Sequence, residues 1–288
     1  MNRRRVVLLL AVLQVVMLAT GQAQGDQHAL AQRILGGNVE DQSRAVWAAM
    51  TLGPQATGPE LRAALITLLE RNNRIRDEAL KRNVATATLV DPEFVAHVAH
   101  AVSQLEDPQA IPALASALGS GSTLVPDALA DFGERAAGVV LRVVTDPDIR
   151  DREAANKGLL SLRFMVEGRG ARPLSAGTLD EIRRAAKQRL IGKQYFTTLW
   201  KAIDLAVVLD DPELTRIVES LAANRGEVAA RGIEDPELIQ DTQKLAAGRL
   251  AAGGRPINPR YRTPAERAQA LGLPARGNDG PAMIKGPR

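Results

Sequence analysis

The sequence contains no cysteine, only three histidines (His28, His97 and His100) and few aromatic side chains. The absence of cysteine excludes a disulfide scaffold, a thiolate metal site, a cysteine nucleophile and a lipidated N-terminal cysteine. Three histidines leave little for imidazole chemistry. No stretch alternates apolar and polar residues over the length of a strand, which argues against a half-buried sheet. No Gly-x-Ser-x-Gly, His-Glu-x-x-His or Gly-Lys-Ser/Thr pattern occurs, so serine hydrolysis, zinc peptidase and nucleotide-loop readings have no support. Paired acids such as Asp210-Asp211 read as helix caps rather than as an acid–base pair.

One apolar run is present, and it is short. Residues 2–5 (Asn-Arg-Arg-Arg) precede the uncharged stretch 6–19, and Thr20-Gly21-Gln22-Ala23 follows. This is the basic, apolar and small-residue order of a secretory signal peptide, with cleavage expected after Ala23. Spanning hydrocarbon needs about 20 apolar residues, so the run falls short of a stable span. The expectation is an exported chain, periplasmic or extracellular. The charge supports that reading. The formal total is +4, but residues 1–23 carry +3 and residues 251–288 carry +5, which leaves −4 on 24–250. Sequence-independent nucleic-acid binding rests on Lys and Arg neutralising phosphates, and a mildly acidic body is a poor candidate for it.

Helical spacing recurs instead. Leu61, Ala64, Leu65 and Leu68 stand at i, i+3, i+4 and i+7. Phe94, Val98, Ala101, Val102 and Leu105 share a face, as do Phe196, Leu199, Trp200, Ile203 and Val207. Trp47 and Trp200 lie on such stripes and read as core. Asp-Pro occurs at 91–92, 107–108, 146–147, 211–212 and 235–236, each time followed by Glu, Gln or Asp. An Asp carboxylate accepts from the orphan N–H groups of a first turn, and Pro is pre-set for the first helical position. Each copy therefore predicts a helix start. Thr57-Gly-Pro-Glu60 and Thr178-Leu-Asp-Glu181 predict capping boxes. Gly53, Gly119, Gly133 and Gly192 follow apolar stripes, where helices end. The result is about a dozen short amphipathic helices, all-α. The segment Ala45–Leu65 lines up with Pro126–Val144 through a shared Leu/Phe-Gly end, and units of this kind bury their stripes by stacking. The tail 251–288 is basic and rich in Gly and Pro with almost no stripe, so it is expected to be mostly disordered.

The stretch Glu106–Val144, through Asp107-Pro108, Ala110-Ile111-Pro112-Ala113-Leu114, Ala128-Leu129-Ala130 and Phe132-Gly133, resembles HEAT-like repeats of the phycobilisome-lyase type. The likeness is good over 91–166 and looser over 38–71 and 178–250. It implies an α-solenoid of stacked antiparallel helix pairs over 24–250, of the kind that binds another macromolecule. Proteins with such repeats also attach or detach bilins, so a lyase-like enzyme stays an alternative, as does a self-associating structural envelope protein.

Candidate sites are few. Glu93, His97 and His100 share one helical flank, where a divalent metal is weighed against a solvated polar flank; the second reading is preferred, with no metal and no cofactor expected. Residues 167–177, with Gly and Arg running into a helix start, read as an inter-repeat connection rather than an anion loop. Residues 150–193 carry a net +6 and residues 204–241 a net −7. Arg152, Asn156 and Arg163 share a face of the 147–166 helix, and Arg183 and Lys187 share a face of the next. If both faces point the same way, they form a basic ridge for an acidic protein or peptide. The competing account pairs these side chains with Asp204, Asp211 or Glu213. The functional expectation is a binding scaffold that uses its concave face and has no catalytic residues of its own.

Overall fold

A computed structural model describes residues 25–53, 56–82, 91–120, 124–146, 151–168 and 173–253. The expected signal segment 1–23 and the tail from 254 lie outside the described residues. Among those described the fold is all-helical, with no strand. The helices are α1 (25–36), α2 (Val39–Leu52), α3 (Pro59–Lys81), α4 (Pro92–Gln104), α5 (Ile111–Ser116), α6 (Val125–Phe132) and α7 (Glu134–Thr145). They continue as α8 (Arg152–Val166), α9 (Ala176–Ile191), α10 (Phe196–Leu209), α11 (Pro212–Ala223), α12 (Arg225–Ala230) and α13 (Pro236–Ala252). Short 3-10 turns at Pro108–Ala110 and Ala117–Ser120 flank α5.

Four of the Asp-Pro pairs cap as the sequence predicts. The carboxylates of Asp91, Asp107, Asp211 and Asp235 accept from the backbone N–H of Glu93, Gln109, Glu213 and Glu237, at 2.8–2.9 Å. For the fifth, Asp146 closes α7, and the helix start expected at Pro147 lies outside the described residues. The described helix that follows starts at Arg152, capped by Asp151, which accepts from Ala154 N at 3.1 Å. Both expected capping boxes differ. The Thr57 hydroxyl donates back to the carbonyl of Gly53, and α3 starts after Gly58 without a side-chain cap. At α9 the cap is Ser175, which accepts from Thr178 N at 3.2 Å. Thr178 sits in the first turn, and its hydroxyl donates to Glu134 of α7. A tertiary acceptor has taken the hydroxyl that a local cap would have used.

The aligned units end alike. Gly53 after α2 and Gly133 after α6 have φ of 74° and 54°, a region where a side chain is strained. Gly192 closes α9 at φ −76°, which any residue adopts, and Gly119 lies inside a 3-10 turn.

Packing between helices follows a regular rule. One row runs through the even-numbered helices, α2 on α4, α6, α8 and α10, and α10 then packs on α13, the short α12 lying against α11 and α13. The odd-numbered helices do the same from α3 through α5, α7 and α9 to α11. The rows are joined within the pairs α3–α4, α5–α6, α7–α8 and α9–α10, whereas α6–α7 and α8–α9 touch only slightly. From α3 to α10, sequence neighbours are thus alternately close partners and near strangers.

One apolar core runs through both rows, from Ala31 and Ile34 of α1 to Ala246 of α13. Leucine and alanine dominate it. Alanine contributes little bulk, so helix axes approach closely, which suits a chain poor in aromatic side chains. Gly158 shows how close: a Cβ there would lie 2.7 Å from Cγ2 of Val144 on α7. In the odd row, Arg189 of α9 donates from Nε to the Val144 carbonyl at 2.7 Å. That bond satisfies an orphan C=O at the end of α7.

Candidate partner-binding face

The five residues expected to form one ridge divide between the two rows. Arg152, Asn156 and Arg163 belong to α8 in the even row, and Arg183 and Lys187 to α9 in the odd row. α8 and α9 touch only slightly, and the two sets sit in different rows.

Within α8 the three residues have different surroundings. Asn156 and Arg163 are buried, at 8% and 4% exposure. The amide of Asn156 donates to Thr197 Oγ1 at 2.9 Å, and its oxygen accepts from Thr198 Oγ1 at 2.7 Å, which ties α8 to α10. Arg163 donates from Nε to Glu167 at 2.8 Å, and its Nη1 stands 3.7 Å from Asp204 of α10. Both residues lie in the α8–α10 interface. Only Arg152 is exposed. Its guanidinium lies 4.9 Å over the ring of Tyr195, just before α10, within reach of a cation–π attraction. Tyr195 is 47% exposed and continues into an aromatic ladder, with Phe196 at 4.6 Å and then Trp200 at 5.1 Å, edge-on. The ladder is anchored by the Trp200 indole N–H, which donates to Thr242 Oγ1 of α13 at 2.8 Å.

In the odd row, Arg183 donates to Asp180 at 2.6 Å and lies 3.7 Å from Asp211, while Lys187 donates to Glu213 at 2.5 Å. Asp211 caps α11 and Glu213 is in its first turn. Each base is thus matched by an acid already favoured at a helix N-terminus. Arg163 with Asp204, Arg183 with Asp211 and Lys187 with Glu213 are the pairings that the sequence sets against a ligand ridge.

Sequence reasoning missed a further group. Asp204 receives Arg249 of α13, whose Nε donates to it at 2.7 Å, and Lys201 stands 3.9 Å away. Lys201 at i, i+3 from Asp204 was a visible signal. Arg249, 45 residues on, was not. Tyr195 was missed because it precedes the apolar stripe of α10 instead of lying on it.

The histidine flank is also resolved. The His97 ring packs on Trp47 of α2, with centroids 4.9 Å apart. Burial holds its pKa below the ordinary imidazole value, against the opposing pull of Glu93 and Asp91. His100 faces the Gln104 amide at 3.0 Å. Among the described residues no three His, Asp or Glu side chains gather as metal ligands do. No helix among them is long and apolar enough to cross a membrane.

No protein-family model matches this sequence, and no curated protein matches it. The functional argument therefore rests on the residues themselves.

Proposed function

We propose that the two rows are the two layers of an α-solenoid of stacked antiparallel helix pairs, HEAT-like in organisation. In this reading the chain is exported after loss of residues 1–23 and binds a protein or peptide along one layer, without chemistry of its own. Second-neighbour packing supports the solenoid, since a repeat of two helices places each helix against its counterpart in the next repeat. The paired Leu52-Gly53 and Phe132-Gly133 turns support it as well.

The observation that carries the binding reading is the Arg152–Tyr195 pair. A half-exposed tyrosine under a guanidinium, rigidified by Phe196 and Trp200 behind it, offers a large contact area at low entropic cost. Tyr and Arg are also the residue types that dominate binding energies at protein interfaces.

The test is a cross-linked capture from envelope extract with the chain lacking residues 1–23. A specific protein partner is expected, recovered in much smaller amount with Tyr195→Ala at unchanged melting temperature. Equal recovery with that variant removes Arg152–Tyr195 from the face. Recovery of no protein partner overturns the scaffold reading. Mass spectrometry of the exported chain checks the localisation, with an N-terminus at Gln24 expected and one at Met1 refuting it.

A further inference from the structure

The environment of Asp204 is electrically unbalanced. The acid is buried and meets three cations: Arg249 at 2.7 Å, Arg163 at 3.7 Å and Lys201 at 3.9 Å. Arg163 has a second carboxylate of its own in Glu167 at 2.8 Å. Lys157 of α8 adds a fourth cation to the neighbourhood, 3.4 Å from Glu153. With Glu167 assigned to Arg163 and Glu153 to Lys157, the one carboxylate of Asp204 remains between Lys201 and Arg249. A net positive charge is left over.

Its position matters more than its size. Lys201 comes from α10 and Arg249 from α13, two helices that pack on each other. The side chains of Lys201 and Arg249 are 38% and 27% exposed. An extended segment meeting both would run toward the Arg152–Tyr195 pair, at the N-terminal ends of α8 and α10. Burial lowers the pKa of the Lys201 ammonium; Asp204 opposes that, and Lys157, Arg163 and Arg249 add to the lowering. Cations held together against their own repulsion are a site that an incoming anion relieves.

We infer that Lys201 and Arg249 form a carboxylate-binding subsite for an acidic segment of the partner protein. The inference rests on the scaffold reading above and names the chemistry of what the even row receives. The ammonium and guanidinium groups supply charge-assisted hydrogen bonds, with the guanidinium edge left by Asp204 available to an incoming carboxylate. The basic groups of the odd row are a built-in contrast. Arg183 and Lys187 each have a carboxylate from α11 and leave no comparable excess.

Fluorescence anisotropy of a labelled octaglutamate peptide against the full mature chain tests this directly. Saturable binding that weakens as salt is raised is expected. Lys201→Gln and Arg249→Gln should each weaken it about tenfold, the loss of one charged hydrogen bond. Arg183→Gln should leave it unchanged. Because Arg249→Gln also loosens buried Asp204, Lys201→Gln is the deciding variant, with its melting temperature checked alongside. Octaglutamate binding that is indifferent to Lys201→Gln overturns the subsite, and so does absence of octaglutamate binding to the wild type. Neither result touches the scaffold reading, which fails only if cross-linked capture returns no protein partner.

Discussion

The Thr198 hydroxyl donates to Asn156 Oδ1 at 2.7 Å, inside the seam between α8 and α10. Both residues are buried, so neither group has water as a substitute. Replacing Asn156 with alanine strands the buried hydroxyl of Thr198, removes a partner of Thr197 and opens a small void. A loss of about 1–3 kcal/mol is expected, as for other buried polar groups deprived of a partner. Urea unfolding measures it. An unchanged midpoint would show that the bond contributes nothing to stability.

Arg163 and Arg183 look equivalent in sequence but have opposite surroundings. Arg163→Met leaves Glu167 and Asp204 buried beside one cation fewer and should cost about 3 kcal/mol or more. The side chain of Arg183 is 36% exposed in a solvent-screened pair, and Arg183→Ala should cost less than about 1 kcal/mol. Equal losses in thermal unfolding would contradict the assignment of one to the interior and the other to the surface.

Two helical glycines should respond with opposite signs. In α7, Gly138 is exposed and a Cβ there meets nothing within 4 Å. Gly138→Ala should stabilise by about 0.5–1 kcal/mol through helix propensity. In α8, the added Cβ of Gly158→Ala would lie 2.7 Å from Val144 Cγ2, on a β-branched side chain with little freedom at χ1. Overpacking should exceed the propensity gain and destabilise by about 1–3 kcal/mol. Stabilisation by both would mean that α7 and α8 are packed less tightly than described.

His97 makes stability depend on pH in one direction. Burial against Trp47 lowers its folded pKa, so between the folded and unfolded values the unfolded chain binds more protons. The contribution of the neutral ring is complete above the unfolded value of about 6.5 and is lost as pH falls through the folded one. Stability should therefore drop between about pH 7 and pH 5 more in the wild type than in His97→Phe, which keeps a ring on Trp47 and cannot titrate. Identical urea midpoints for the two proteins across that range would remove His97 as the cause.

Local structure was legible in the sequence wherever its cause is local. Asp91, Asp107, Asp211 and Asp235 cap from two residues away, and Gly53 and Gly133 adopt left-handed turns because of their own missing Cβ. The stripes Leu61–Leu68 and Phe94–Leu105 are set by 3.6-residue periodicity. Where the local cap failed at Thr178, the cause was a partner distant in sequence: the Thr178 hydroxyl is drawn to Glu134 on another helix.

The sequence alone therefore determined that the chain is helical, where most of its helices begin, and which face of each is apolar, because capping, chirality and periodicity act within a few residues. Only the tertiary structure decided which row each helix joins. That assignment turned Asn156 and Arg163 inward, sent Arg183 and Lys187 to the acids of α11, and brought Arg249 to Asp204 across 45 residues. Packing and long-range charge pairing depend on separation in space, and a helical stripe has the same appearance in sequence whichever neighbour covers it.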